Sequence, residues 1–538
     1  MASPDLQKLK LAYDKIAPQH WDEAKQDWDY DKGSDGALHT KQIGEAKVSD
    51  ASLQAKIDAL NAKIDGILDG STPASTQLKG SNIELNTRVA RLEDLINIQK
   101  DIYNVVSDDA LIYGAYWNKT SDPTMIRTDA AVDKVANVGV DGELVQNDFD
   151  KLPIWGEIEE YEDAYGNKFM KIPKFYIRKR SGKGFYLKQV SKMKHPGFYL
   201  PALFRDFEND KELDYAYIGK YEASLSDDNK LESKADRQVL VEKNIVEFRN
   251  YAQANGKGYQ QEDIHSIDVL QTLFHIEFAT LHSQSIAKGY TQGNYNSGHT
   301  ITVAESNTNR AIVSNATASA YEVGQTFGIG QQTYHNQVTG DSRLITKIEA
   351  YDTDNTAIYF DGNPVNTSVG DVVANRGWIT GFSKNVLASS GTIVADDGKH
   401  PFVYRGIENP WGSVYKWVDG ININDRQVWI CLDASKYASN VFAEPYERLG
   451  YVNHTENGYP TEMGFDARYP FAEFPITTGG NSATYYADYY YQSEGQRVAR
   501  FGGDWRYGSN AGLSLWYLYD SSGSRNASSG GRLIKKAL

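Results

Sequence analysis

A single cysteine, Cys431, in 538 residues sets the first constraint on this chain. No intrachain disulfide and no cysteine-cluster metal site can hold it together, so buried apolar and aromatic side chains must. Hydrophobic residues make up 40% of the sequence, enough for real cores. No run of about 18 apolar residues occurs, so no spanning helix and no membrane insertion are expected. At roughly 150 residues per domain, the length allows two to four domains. The 56 Lys plus Arg against 71 Asp plus Glu leave a net charge of −15. A surface that acidic repels phosphate, so nucleic acid is not an expected partner. Met1-Ala2-Ser3-Pro4-Asp5 has neither a basic nor an apolar leader region, so no secretion signal is expected and assembly in a reducing cytoplasm fits. Tyrosine is abundant, with 36 residues beside 46 Gly and 10 Trp. Such a composition suits rigid recognition surfaces and, equally, β-rich folds.

The first hundred residues have a different texture. Leu53, Ile57, Leu60, Ile64 and Ile67 step by 4, 3, 4 and 3, and Leu78, Leu85, Val89, Leu92 and Ile96 by 7, 4, 3 and 4. Both are heptad seams. The expectation is a helical attachment and oligomerisation region over 1–100, with coiled-coil segments joining a homotrimer; a helix hairpin is the alternative. Residues 1–31 also read as helical, with Leu6, Leu9, Tyr13 and Ile16 on one side.

From residue 101 the pattern mixes strands and helices. Strands are expected at 168–177 and 215–221, and helices at 243–255 and from about Ile264 to His282. His265, His275 and His282 lie on or near the second helix at spacings of 10 and 7, which do not match the i, i+4 pairing of a helical zinc site. From 290 to 381, short alternating runs such as Arg343–Ile348 and Thr356–Phe360 are punctuated by Asp361-Gly362-Asn363-Pro364. These predict a small inserted β domain, with the surrounding body resuming at 382–538.

The most specific stretch runs from Gly406 through Glu408, Asn409, Trp411, Gly412 and Trp417 to Gly420. Trp411 and Trp417 fill a core on this reading, the glycines allow turns, and Glu408 and Asn409 are buried hydrogen-bonders. Gly502-Gly503-Asp504-Trp505 and Gly530-Gly531-Arg532-Leu533 follow near the end. Together these segments resemble the G-x-E-N-x-W-G and G-G-x-W motifs of the C-type-lectin-like fold in formylglycine-generating-enzyme-type proteins. That group includes variable proteins of diversity-generating retroelements and phage tropism determinants. The resemblance covers roughly 150–290 and 382–538. It implies an α+β fold: a C-type-lectin-like body in two parts, 101–289 and 382–538, interrupted by the small β domain and preceded by the helical coiled-coil region.

The resemblance also implies a function. In this group the variable ligand contacts lie between G-G-x-W and the terminal strand. The corresponding positions here are Arg506, Tyr507, Ser509, Asn510, Ser514, Trp516, Tyr517, Tyr519, Asp520, Ser521, Ser524 and Asn526. Rings there would stack on sugar faces or apolar patches while small polar groups hydrogen-bond. The cluster Tyr485–Tyr491 extends that face or forms an edge strand burying alternate rings. The expected protein is a non-enzymatic receptor-binding component of a phage tail or baseplate. It would attach the virion to a host-surface saccharide or protein and join other tail proteins through its N-terminus. The cysteine pair and histidine cluster of the enzymatic relatives are absent from this sequence. No cofactor is expected, although Asp419, Asn422, Asn424 and Asp425 alternate as calcium ligands can, or as an Asx-rich turn does. A glycan hydrolase drawing on Asp433, Glu444, Glu447 and Asp466, or a purely structural tail component, are the alternatives.

Overall fold

The computed structural model describes residues 108–139, 145–295, 298–331, 342–385 and 397–538, together with 19–22, 27–30, 58–59 and 62. It falls into two compact units, 1–111 with 193–198 and 112–192 with 199–538.

Strands account for 39% of the described chain and helices for 13%, with three α-helices and sheets curved as half-barrels. The α+β, C-type-lectin-like expectation with a coiled-coil N-terminal region is thereby corrected to a mostly β architecture. No long N-terminal coiled-coil helix is seen among the described residues. Of the two heptad seams, only the helical positions Asp58, Ala59 and Ala62 fall within the description, and the rest of both seams lies outside it. Residues 1–31 are corrected where described: Gln19–Asp22 and Asp27–Tyr30 pair as an antiparallel hairpin, with Trp21 opposite Trp28. The reason is local. Trp and Tyr alternate with Asp there at period 2, a strand pattern that outweighs apolar residues farther upstream.

In the larger unit, α1 (Ile245–Gln253) and α2 (Ile264–Phe278) organise the core. Asn244 caps α1 and Asp263 caps α2, each side chain accepting from backbone amides of the first turn. The second helix stops at Phe278, short of the expected His282, because Ala279 turns into the left-handed region at φ 51°. All fifteen residues of α2 are buried. Its polar side chains must therefore find partners inside the protein.

Asp268, His275 and Glu277 do so in two ionic clusters. The Lys179 ammonium lies 2.5 Å from Asp268 and 3.0 Å from Glu473. Lys188 adds contacts of 3.3 Å to Glu473 and 3.0 Å to His275, and Tyr199 donates to Asp268 at 2.8 Å. Two residues beyond His275, the Glu277 carboxylate accepts from Arg405 (2.7 and 3.1 Å), Tyr404 (3.0 Å) and Asn147 (2.8 Å). Desolvation and the two lysines hold His275 well below the ordinary imidazole value, so it stays neutral.

Three sheets surround these helices. Tyr259–Gln261, Leu533–Lys536, Tyr215–Gly219, Lys168–Pro173 and Glu159–Glu162 form one, with the C-terminal strand inside it. Ile126–Asp129, Tyr113–Trp117, Phe185–Ser191 and Tyr176–Gly182 form a second. The largest centres on Tyr415–Asn424. Gln427–Ile430 and Glu447–Val452 lie on one side of it, and Gln496–Phe501, Trp516–Leu518 and Tyr490–Gln492 on the other. Nine of the ten residues of Tyr415–Asn424 are buried, and the ladder to Gln496–Phe501 slips at Gly420, which sits at φ +78°. The backbone angle at Gly420 favours glycine, and a Cβ there would crowd the Tyr437 ring at 3.1 Å.

Residues 299–378 build a fourth, six-stranded sheet. It starts at Ile301–Val303 and ends at Val372–Trp378, and those two end strands meet through Ile301 N–Asp371 O (2.8 Å) and Val373 N–His299 O (2.9 Å). The sheet thus curls on itself around Phe327, Ile329, Ile345, Ile358 and Phe360.

Replacing Arg405 by Met leaves the Glu277 charge buried without its main partner. The expected loss is about 3–5 kcal/mol of folding stability, read as a lower thermal midpoint. Adding Glu277→Gln to that variant recovers part of the loss, and no recovery would show that Arg405 acts through packing alone.

Candidate functional site

Two neighbouring strands of the large sheet carry the centre of a row of tyrosines, and a third carries the arginine beneath it. Gln496–Phe501 and Trp516–Leu518 are antiparallel, and Tyr490–Gln492 adds in parallel at the edge, with Tyr490 opposite Trp516 and Tyr491 opposite Tyr517. Side chains alternate across a sheet. Tyr490, Trp516 and Leu518 therefore enter the core, while Tyr491 and Tyr517 stay half-buried on the outer side. Their ring centroids are 5.0 Å apart. The row continues from Tyr491 to Tyr489 (4.5 Å) and Tyr459 (5.0 Å), and from Tyr517 to the exposed Tyr519 (5.9 Å). Tyr507 packs edge-on against Tyr491 at 5.8 Å and Tyr415 at 5.1 Å. Burial pushes the Tyr491, Tyr507 and Tyr517 phenols above their ordinary value, so the face presents neutral hydroxyls.

The row rests on a buried cation. The Arg500 guanidinium lies 4.3 Å from the centroids of both Tyr415 and Tyr517. It pairs with Asp520 and donates to Ser529. A guanidinium between two rings fixes both ring planes and satisfies the cation electrostatically.

Beside the row, Tyr295, Tyr491, Arg506, Tyr507, Gly508, Ser509 and Asn510 line a hollow of about 510 Å³. Ser509 is exposed and Asn510 half-buried. The Asn510 carbonyl oxygen accepts from the Tyr459 hydroxyl. Arg506 donates to the fully buried Asp504 and to Ser528 (2.9 Å), so its charge is neutralised in place.

Beneath the hollow, the loop Gly512–Ser514 is tied to the core from three directions. Gln271 of α2 donates to the Leu513 carbonyl (2.7 Å), Ser283 accepts from the Leu513 amide (3.0 Å), and Asp488 accepts from the Ser514 amide (2.7 Å). Asp488 is fully buried, and its second oxygen has no hydrogen-bond partner. Desolvation raises its carboxyl well above 3.8.

Of the residues expected to bind ligand, Tyr507, Ser509, Asn510, Tyr517 and Tyr519 share this face, with Arg506 at its rim. Ser514 and Trp516 do not: both are buried, Trp516 packing on Phe474 at 4.7 Å and Phe501 at 5.3 Å. Strand alternation turns Trp516 inward, and Ser514 lies in the buried turn before that strand, its amide held by Asp488. Asp520 is committed to Arg500. Ser521 and Ser524 bond each other in a turn, and the Asn526 carbonyl accepts from Glu242 and Ser529 amides. Within Tyr485–Tyr491, Tyr486, Asp488 and Tyr490 are buried, while Tyr489 and Tyr491 join the row. Tyr295 and Tyr459 were not anticipated. They come from distant segments, and no local pattern marks them.

The motif residues lie in the interior. Trp411 packs between Phe402 (4.4 Å) and Phe274 (5.4 Å), Trp417 donates to the Lys243 carbonyl (3.0 Å), and Trp505 joins Tyr290, Trp378 and Val414. Asn409 donates to Glu222 (3.0 Å), and Glu408 accepts from the Gly381 amide (2.8 Å) with its carboxyl pushed up to about 7 by burial. Gly412 holds φ +73°, and a Cβ there would fall 2.7 Å from the Tyr290 carbonyl oxygen. Gly406 (φ +79°), Gly502 (φ +87°) and Gly503 (φ +81°) are left-handed as well.

The calcium candidates are otherwise engaged. Asp419 accepts from Arg249 (2.6 and 2.8 Å) and Gln261 (2.7 Å), Asn422 from the Asn440 amide (3.1 Å), and Asp425 from the Gly495 amide (2.8 Å), while Asn424 ends its strand. No group of three or more His, Cys, Asp or Glu side chains that could hold a metal ion occurs among the described residues. The hydrolase candidates are dispersed in role. Asp433 caps a short turn, Glu444 precedes Pro445 on the surface, Glu447 accepts from Tyr469, and Arg468 holds Asp466 down at about 2.

The chain matches no protein-family model and no curated protein.

The buried Asp488 generates a signed pH prediction. Its carboxyl is raised in the folded protein, so its contribution is fully present below the unfolded value of 3.8 and is lost as pH rises toward the folded value. Asp488→Asn removes that loss. The variant is expected to gain stability relative to the wild type as pH rises from mildly acidic to neutral, measured as the difference in thermal midpoints. A constant difference across that range contradicts the assignment.

Proposed function

We propose that this chain is a binding protein that uses its tyrosine face to attach to a cell-surface saccharide or protein, as a receptor-binding component of a bacteriophage tail. One observation carries the recognition reading. Tyr459, Tyr489, Tyr491, Tyr517 and Tyr519 form a continuous outward row beside an open hollow, on a sheet that fixes their spacing. Rings held this way offer contact area with little entropy left to lose on binding. The small groups Ser509 and Asn510 stand at the same hollow for hydrogen bonds. The tail setting is supported by the resemblance of Gly406–Gly420 and Gly502–Trp505 to motifs of phage tropism determinants. Several copies on one particle would add avidity to weak individual sites. Binding without turnover fits Asp433, which caps a turn, and Asp466, which is held by Arg468.

The test is retention of the full-length protein on envelopes of candidate bacterial hosts. The double variant Tyr491→Ala/Tyr517→Ala is expected to bind at least about tenfold more weakly, as removal of central aromatic anchors does. Ser521→Ala/Ser524→Ala, in the outlying turn, is expected to bind like the wild type. Equal retention of the tyrosine variant, with its thermal midpoint kept, would falsify the assignment of this face.

A further inference from the structure

Resting on the recognition reading above, the geometry points to an uncharged saccharide chain as the ligand of the tyrosine face. Shape and charge carry this independently.

The face is a strip. Five rings follow one another at centroid intervals of 5.0, 4.5, 5.0 and 5.9 Å, with Tyr507 and the hollow to one side. A strip one ring wide and several rings long accommodates a linear chain of flat units, each placing C–H bonds on a ring. A stable protein partner instead needs roughly 800 Å² on each side, spread in two dimensions around buried apolar anchors. The exposed large side chains here are Tyr519 along the row and Tyr295 at the hollow, both with a hydroxyl as well as a ring face. Ser509 and the Asn510 amide add hydrogen-bonding groups of the size that sugar hydroxyls pair with.

Charge then selects among saccharides. The arginines nearest the middle of the row and its edge strand already have their anions: Arg500 has Asp520, Arg506 has Asp504, and Arg426, bonded to Gln492 at the edge strand, has Glu494 at 2.8 Å. At the Tyr519 end, Arg497 lies 5.8 Å from the ring centroid and donates to the neutral Glu494 carbonyl (2.7 Å) and Ser493 hydroxyl (3.2 Å). A uronate, sulfate or phosphate over Tyr491, Tyr507 or Tyr517 would have to break one of these pairs, in a protein of net charge −15. Neutral hexoses and N-acetylhexosamines make no such demand. Their binding draws on stacking and neutral hydrogen bonds, and these are insensitive to salt.

The experiment immobilises neutral hexose and N-acetylhexosamine oligosaccharides in one arm and polygalacturonate in another, and measures capture of the full-length protein at low and high salt. Capture by a neutral probe, unchanged by salt and weakened about tenfold by Tyr491→Ala, is the expected result. Ser509→Trp fills the hollow from an exposed position that the fold does not depend on, and it is expected to weaken capture equally. Capture by polygalacturonate alone, loss of capture at high salt, or full capture of Ser509→Trp overturns the inference. A second arm separates it from the recognition reading, using host envelopes treated with periodate or with protease. Binding lost to periodate and kept after protease supports a saccharide. Binding lost to protease and kept after periodate overturns the saccharide while leaving attachment through this face in place. Absence of binding both to untreated envelopes and to every probe overturns both.

Discussion

A helix with no exposed face that nevertheless carries two carboxylates is the constraint around which the larger unit is arranged. Asp268 and Glu277 lie on α2, every residue of which is buried. An unpaired charge at such depth costs several kcal/mol, so counter-charges must come from other elements. Lys179 and Lys188 reach in from the paired strands Tyr176–Gly182 and Phe185–Ser191. Arg405 reaches in from the turn preceding the tryptophan-rich motif. One end of α2 is thus bound to a sheet and the other to the turn before the motif, by ion pairs with defined geometry. Such pairs favour one arrangement of helix and sheets over the alternatives that apolar packing alone would tolerate.

The same helix supports the outer face. Gln271 projects to the Leu513 carbonyl, and the Ser283 hydroxyl, just past the helix, takes the Leu513 amide. The loop between the Gly502-Gly503 turn and Trp516 is therefore hydrogen-bonded to the core rather than left to solvent. Above it, the Arg500 guanidinium between Tyr415 and Tyr517 stops either ring from rotating freely. Rigidity at the surface thus descends through a few named contacts to the buried helix. A face prepared in this way binds without first ordering itself, a condition for useful affinity from small contact areas.

Sequence patterns conveyed some of this and misdirected elsewhere. The glycines and tryptophans from Gly406 to Trp417 read as structural, and each has a structural partner. The stretch after Trp505 read as one contiguous adhesive segment, and there the reading failed at Trp516 and Ser514. Composition says that a segment is rich in rings, but only strand pairing says which rings share a side. Tyr459 and Tyr295 were invisible for a related reason. Each lies far from Tyr517 along the chain, and nothing local distinguishes a ring that meets a distant row from one that does not. At the other end, Asp27-Trp28-Asp29-Tyr30 alternates at the period of a strand, and the helical spacing of Leu6, Leu9, Tyr13 and Ile16 does not extend to it.

By itself, the sequence determined what depends on neighbours along the chain: the capped helices after Asn244 and Asp263, the turns that need glycine, and the absence of an intrachain disulfide from a chain whose one cysteine is Cys431. Tertiary structure alone decided which charges meet and which tyrosines face outward. Asp268 and Lys179 are 89 positions apart, and Tyr459 and Tyr517 are 58 apart. Contacts at such separations form only once the sheets have closed around α2, because the entropy of bringing distant segments together is recovered by the assembled core and by no single local element.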